Sequence, residues 1–332
     1  LQIPDSLLAR LAETPATPKV AVVVCTYRRP KSLEACLASL NRLDYPRFEV
    51  LVVDNHPEPA ARAVAARAGA SYVPAPIRGL SHARNVGVRA TRSDLVAFFD
   101  DDMLADPAWL AALVDEFRDP AVAAVTGPVL PMSLAGASPS AIETALLAQP
   151  WGTKRFSVDR GTEDWFERAH FGGVGDGNMA FRRSLFDAGL AFEERIGRGR
   201  LINGGEEHYA FFSVIAGGHR IAYSPRARVF HPEPARARDA SRKAIEDCGA
   251  YASFLLARHP RYAHRVVRFL AQAAFAKARP WRPAEACPAQ ARLGRKEKAA
   301  AFWRGIRTYR QAQREDTRPH PAAALGAGSE GD

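Results

Sequence analysis

Three consecutive aspartates, Asp100, Asp101 and Asp102, end an apolar run in the stretch LVAFFDDDMLADPAWL. Like charges side by side repel, so something positive is expected among them. Side chains at i and i+2 of an extended segment share a side, so Asp100 and Asp102 can converge on one hard divalent cation while Asp101 points away. Magnesium or manganese held in this way keeps open positions for phosphate oxygens. Helix capping is the competing use of such acids, but Asp106 followed by Pro107 already supplies a cap for the next helix. The triplet therefore predicts a metal and diphosphate site.

Other residues carry chemistry at recognisable places. Arg84 and Asn85 fall in the first turn of SHARNVGVRAT, a helix that Ser81 is expected to cap. Unpaired N–H groups and the helix dipole favour an anion there, and a structural ion pair of Arg84 is the alternative. Asp54 ends FEVLVVD. An acid at that point accepts hydrogen bonds from a base or ribose, as in dinucleotide folds, or simply closes a turn.

The elements that must position these groups alternate regularly. KVAVVVC, FEVLVVD, SYVPAP, DLVAFFD and AVAAVTG read as strands, and helical segments at RPKSLEACLASLNRL, PEPAARAVAARAG, SHARNVGVRAT and PAWLAALVDEF separate them. Short buried strands joined by helices imply a mainly parallel sheet covered on both faces, with ligands beyond the C-terminal strand ends. Thr26, Asp54 and the aspartate triplet all lie at such ends. After the break GPVLPMSLAGASPS come a glycine-rich loop leading into a strand and a helix from Ser184, the helix EEHYAFFSVIAGG, and one or two strands in HRIAYSPRARVFHPEP.

The chain has 332 residues and 47% hydrophobic content, enough for a substantial core. Its four cysteines are widely spaced, which suggests neither a disulfide framework nor a zinc site and favours a reducing compartment. No uncharged apolar run reaches the roughly 18 residues of a membrane span, so a cytoplasmic protein is expected. The net charge of +10 is unevenly placed: residues 1–219 carry 23 Lys and Arg against 26 Asp and Glu, and residues 220–332 carry 23 against 10. In RYAHRVVRFLAQAAF, Tyr262, Val266, Phe269, Leu270 and Ala273 make an apolar stripe beside Arg261, Arg265 and Arg268. That pattern suits peripheral contact with an anionic membrane, at the inner membrane face; a solvated arginine-rich surface is the plainer alternative. No nucleic-acid partner is expected.

Taken in order, VVVCTYRRPKSLEACLASL, VLVVDN, GLSHARNVGVRA, FFDDDM and GNMAFRRSLF resemble the family 2 glycosyltransferases, inverting enzymes with the GT-A fold. The resemblance covers about residues 19–232. It implies an α/β GT-A domain at 19–235, with a nucleotide-sugar-binding half (19–130) and an acceptor-binding half (131–235). An N-terminal extension (1–18), a basic helical extension (236–316) and a disordered tail (317–332) flank it. It further implies transfer from a nucleotide-diphosphate sugar to a hydroxyl of a saccharide, a lipid-linked or a small-molecule acceptor, with Mn2+ or Mg2+ as cofactor.

Residue by residue, the resemblance implies that Thr26, Tyr27 and Arg28 form a nucleotide-holding loop and that Asp54 accepts from base or ribose. Arg84, Asn85, Asp100 and Asp101 join the donor site, and His231 completes the metal site of Asp100 and Asp102. Arg29, Arg226 and Arg228 are further candidates for the diphosphate. Gly177 and Asn178, within Gly175-Asp176-Gly177-Asn178, line the acceptor side. Glu206 and Glu207 stand where the family has its acidic pair, whose second member acts as base, so Glu207 is preferred. The readings from other classes are a D-x-D phosphohydrolase with Asp100 as nucleophile, a sugar nucleotidyltransferase, and a non-catalytic binding protein. The first would place its motif early in the chain, and the second would carry a glycine-rich loop where this chain has CTYRRP.

Overall fold

The computed structural model describes residues 17–149, 152–171, 177–232, 237–275 and 294–316. The N-terminal extension before residue 17, Gly175, Asp176 and the expected tail from 317 lie outside the described residues. The strands are β1 (Val20–Thr26), β2 (Phe48–Asp54), β3 (Ser71–Pro74), β4 (Leu95–Asp100), β5 (Leu104–Ala105), β6 (Val122–Thr126), β7 (Val129–Pro131), β8 (Phe156–Val158), β9 (Met179–Arg182), β10 (Arg220–Tyr223) and β11 (Val229–His231). The helices are α1 (Pro30–Leu40), α2 (Pro59–Arg67), α3 (Leu80–Ala90), α4 (Trp109–Glu116), α5 (Pro139–Leu147), α6 (Trp165–Phe171), α7 (Arg183–Asp187), α8 (Glu206–Ala216), α9 (Ala237–Arg258), α10 (Ala263–Phe275) and α11 (Arg295–Asp316).

Eight strands form one sheet in the order β3-β2-β1-β4-β9-β6-β10-β8. The first four are mutually parallel, β9 runs antiparallel to β4 and β6, and β8 runs antiparallel to β10. The sheet is thus mainly parallel, as the strand-helix alternation requires. Register brings Thr26 opposite Asp54 and Cys25 opposite Asp100, so three strand ends finish at one edge. A small sheet, β5-β11-β7, extends beyond that edge and carries His231 to it.

Strand alternation divides the core. Val23, Cys25, Val53, Val96 and Phe98 face α3, α6 and α8, whereas Val22, Val24, Val52, Ala97 and Phe99 face α1, α2 and α4. Burying β-branched residues on both faces is what makes these strands continuous apolar runs.

The C-terminal helices join the first of these cores. Tyr251, Phe254 and Leu255 of α9 and Val266 of α10 are buried in it. Helices α9 and α11 approach closely where two glycines meet the opposite backbone: a Cβ on Gly249 would lie 2.5 Å from the Phe302 carbonyl oxygen, and one on Gly305 would collide with that of Glu246. The expected apolar stripe of α10 is redirected by this packing. Tyr262, Val266 and Leu270 lie against the protein core, so that part of the stripe is unavailable to a membrane; the side chains of Phe269 and Ala273 lie outside the described residues. Two expected caps also differ. Helix α3 begins at Leu80 with Gly79 as its cap, and the Ser81 hydroxyl instead donates to the Ile196 carbonyl at 2.7 Å. Asp106 closes a turn onto the Ala108 N–H and pairs with Arg228 at 3.0 Å, with α4 starting three residues later.

Candidate active site

The cleft beyond the strand ends is lined by Thr26, Tyr27, Arg29, Asn55, Arg78, all three aspartates, Arg198 and His231, among others. Its floor is acidic and its rim basic. Thr26 donates its hydroxyl to Asp101 at 2.7 Å, and Arg29 reaches both Asp101 (3.3 Å) and Asp102 (2.5 Å). Asp101 is therefore directed toward β1, and Asp102 offers one oxygen to Arg29 and the other to His231, whose Nε2 stands 3.5 Å from it. The three like charges of the motif are separated by groups that answer each of them.

The titration tendencies follow from these partners. The His231 contact holds the Asp102 carboxyl below the ordinary range against some burial, and Asp102 in turn raises His231. Burial raises Asp101, partly offset by Thr26 and Arg29. Asp100 is pushed up to about 6, chiefly by burial, with Arg84 opposing and Glu207 and Asp102 adding to the rise.

Arg84 is the hub behind Asp100. Its guanidinium is 1% exposed and touches Glu206 at 3.1 Å, Asp100 at 3.4 Å and Glu207. Helix α3 delivers the arginine and the N-terminus of α8 delivers the two glutamates, so one buried cation ties the aspartate motif to the acidic pair. Burial raises Glu206 above the usual carboxylate range. Burial acts the same way on Glu207, but Arg84, His208 and the Gly177 N–H outweigh it and hold Glu207 low. Gly177 donates to Glu207 Oε2 at 3.1 Å. It has a φ of +77°, and a Cβ there would fall 2.5 Å from Asp100 Oδ2, so glycine is required on both counts.

Several residues expected in the donor site are spent on the fold instead. Asp54 is fully buried, and its carboxylate accepts from the N–H groups of His56 and Glu58 and from the Tyr72 hydroxyl; it does not line the cleft. Asn85 holds both the N–H and the carbonyl of Phe192. Arg84 faces its three acids, so the ion-pair alternative describes it rather than nucleotide contact. Arg28 is exposed with a φ of +58° and lies outside the cleft lining, which Arg29 joins in its place. Asn178 is fully buried, its amide shared among Trp109, Pro128 and Ala227, so it clamps the loop and presents nothing to an acceptor. Arg226 and Arg228 pair with Asp115 and Asp106 away from the cleft.

Among the lining residues that escaped the sequence reading, Asn55, Arg78 and Arg198 are the ones with an amide or guanidinium side chain. Asn55 binds the carbonyls of Ala75 and Ile77 and the N–H of Gly79, thereby shaping the loop that carries Arg78. Arg198 sits in ERIGRGRLINGGEE, and its backbone carbonyl accepts from the Leu80 N–H at 2.9 Å. A glycine-spaced arginine pair just before the acidic pair was the signal available for it.

The donor set bears on a cation. Among the described residues no three His, Cys, Asp or Glu side chains stand assembled as a metal cage. Asp100, Asp102 and His231 nevertheless face one cleft, and the His231 Nδ1–H donates to the Pro232 carbonyl at 2.7 Å, so once the imidazole gives up the Nε2 proton it shares with Asp102, Nε2 is the nitrogen with a lone pair for a cation. Oxygen donors with one imidazole fit magnesium or manganese, ions that one or two carboxylates hold while phosphate oxygens complete the shell.

Comparison with known proteins supplies the class. Residues 21–189 match the profile "Glycosyl transferase family 2". The succinoglycan biosynthesis protein ExoM of Rhizobium meliloti is 30% identical over 223 residues, which are 65% of this chain and 67% of that protein. The glucosyl-dolichyl phosphate glucuronosyltransferase of Haloferax volcanii is 27% identical over 223 residues, 64% and 69% of the two chains. Two solved structures share the architecture at lower identity. The mannosyltransferase PcManGT from Pyrobaculum calidifontis, in complex with GDP-Man and Mn2+, has a TM-score of 0.57 at 20% identity, covering 96% of this chain and 83% of its own. S. aureus TarS 1–349, in complex with UDP-GlcNAc, has a TM-score of 0.54 at 18% identity, covering 90% and 91%. These likenesses identify the sheet and its flanking helices as the GT-A fold. With the profile spanning half the chain and the ordered motifs gathered around one cleft, the chain belongs to glycosyl transferase family 2 and is a glycosyltransferase.

Proposed function

We propose that the enzyme moves a sugar from a nucleoside-diphosphate sugar to an acceptor hydroxyl with inversion at the anomeric carbon. Glu207 is the base, and Asp100, Asp102 and His231 hold a divalent cation. The observation that carries this reading is the single buried guanidinium of Arg84, which joins the acidic pair to the aspartate motif, so the two halves of the reaction are built on one support.

Tyr27, 39% exposed, offers the nucleotide base an aromatic ring, with the His56 ring centred 5.4 Å from it and the Arg78 guanidinium 5.7 Å from its centre. Arg29, Arg78 and Arg198 line the path of the diphosphate and oppose its charge as it departs. A bound cation would supply Lewis-acid stabilisation of the same charge. Glu207 takes the acceptor proton as the hydroxyl oxygen bonds to the anomeric carbon, and the electron pair of the breaking carbon–oxygen bond leaves on the diphosphate. Its low proton affinity keeps it ionised at neutral pH, and it is less enclosed than Glu206 (13% against 5% exposed). Acceptors of saccharide, lipid-linked or small-molecule type all present the hydroxyl this chemistry needs.

The test is nucleotide-sugar turnover with Mn2+. Glu207→Gln should lose at least about a hundredfold in kcat while keeping donor affinity, since base catalysis is typically worth 10²–10⁴. Full activity in Glu207→Gln together with loss in Glu206→Gln would transfer the role to Glu206.

A further inference from the structure

We propose that the outward face of α11 docks the protein on an anionic phospholipid surface, an interaction separate from the transfer site. Ala301, Gly305 and Tyr309 turn one side of this helix toward α9 and the core. On the opposite side, Lys296, Trp303, Arg307 and Arg310 follow one another at spacings of seven, four and three residues, and all are exposed. Trp303 is 60% exposed at the centre of this basic row. Lys298, near the helix start, is exposed as well. Among the described residues, none of these four cations makes an ion pair; their neighbour Arg304 does, with Glu246 on α9 at 3.4 Å.

Two features choose a lipid surface over other partners. Charge is the first: residues 220–332 hold 23 basic against 10 acidic side chains, and juxtamembrane cations gain substantially near anionic headgroups. Shape and chemistry are the second. From Lys296 to Arg310 the row runs straight for about 21 Å on a convex helix, which meets a plane along its whole length, and tryptophan is the side chain that best occupies the headgroup boundary. The segment 261–275, whose sequence pattern first suggested a membrane contact, has Tyr262, Val266 and Leu270 turned inward, whereas α11 keeps its aromatic anchor outside.

Sedimentation of the full chain with vesicles tests this. The chain should pellet with phosphatidylglycerol-containing phosphatidylcholine vesicles at low salt, stay in solution with phosphatidylcholine alone, and be released in about 0.5 M salt. Trp303→Ala and the double variant Arg307→Glu/Arg310→Glu should each lower the apparent partition coefficient, the latter by at least about tenfold, with unchanged circular dichroism and unchanged turnover of a soluble donor. Arg261→Glu/Arg268→Glu, just before and on α10, should bind like the parent. The proposal is overturned if the parent ignores anionic vesicles, if the α11 variants bind as the parent does, if a single-stranded oligonucleotide binds more tightly than vesicles, or if the face proves to join two copies in a dimer that Trp303→Ala dissociates.

Discussion

Arg84 concentrates the electrostatics of the site in one side chain. Three carboxylates converge on a guanidinium shielded from water, and removing it leaves buried charges without compensation. Arg84→Ala should therefore cost about 3–5 kcal/mol in urea unfolding, and Arg84→Lys should recover only part, because an ammonium cannot reproduce the planar fork. Asp100 gives the site a pH dependence of its own. With its carboxyl at about 6, the proton is bound below that pH and a cation must displace it. His231, raised by Asp102, must also give up a proton to bind the ion, so Mn2+ affinity measured by titration calorimetry should fall first as His231 protonates and then more steeply below about 6, where the slope approaches two protons; a slope that stays at one proton below 6 would mean that burial does not govern the Asp100 carboxylate. At this scale the sequence was partly legible. The aspartate triplet stands out by type and strand-end position, whereas the acidic pair, at the start of α8, and His231 are singled out only by their place in the family's motif order. Asp54, Asn85 and Asn178 mislead because a buried polar side chain in a turn must satisfy backbone groups, and that need looks in sequence the same as readiness for a ligand.

At the level of elements, the site depends on which segment holds the start of α8. Gly205 caps that helix with a φ of +86°, and the ring of Tyr251 from α9 packs directly against it, with its hydroxyl 2.8 Å from His170. Helix α9 is in turn braced by α11 through the close approach at Gly249 and Gly305. Gly305→Leu should separate that pair at a cost of about 1–3 kcal/mol. Because α9 supports the glutamate-bearing helix, turnover should drop more than donor affinity, a split that steady-state kinetics reads. The strands and helices of the first half follow from their patterns nearly to the residue: FEVLVVD is β2 as written, and β1 shifts by one. The stretch 141–170 carried no clear period, yet it holds most of α5, all of β8 and nearly all of α6. These are short pieces whose burial is set by neighbours distant in sequence rather than by a repeating local face.

On the scale of the whole molecule, one cleft gathers strand ends, a loop from the second half and His231 from the small sheet, while the basic excess lies in the C-terminal third. The alternation of short apolar strands and helices made the sheet legible, because burial on both faces leaves a strong signature. The placement of the arginine loops did not show, since Arg78 and Arg198 meet only through tertiary contacts of Asn55 and Leu80. The central claim is that this cleft binds a nucleoside-diphosphate sugar through a cation held by Asp100 and Asp102. Thermal unfolding across a panel of nucleotide sugars tests it most directly, because ligand binding raises the midpoint by mass action. At least one donor should raise the midpoint in the presence of Mn2+, with the shift removed by chelator and by Asp102→Ala. No shift from any donor, or a shift indifferent to chelator and to Asp102→Ala alike, would contradict the account.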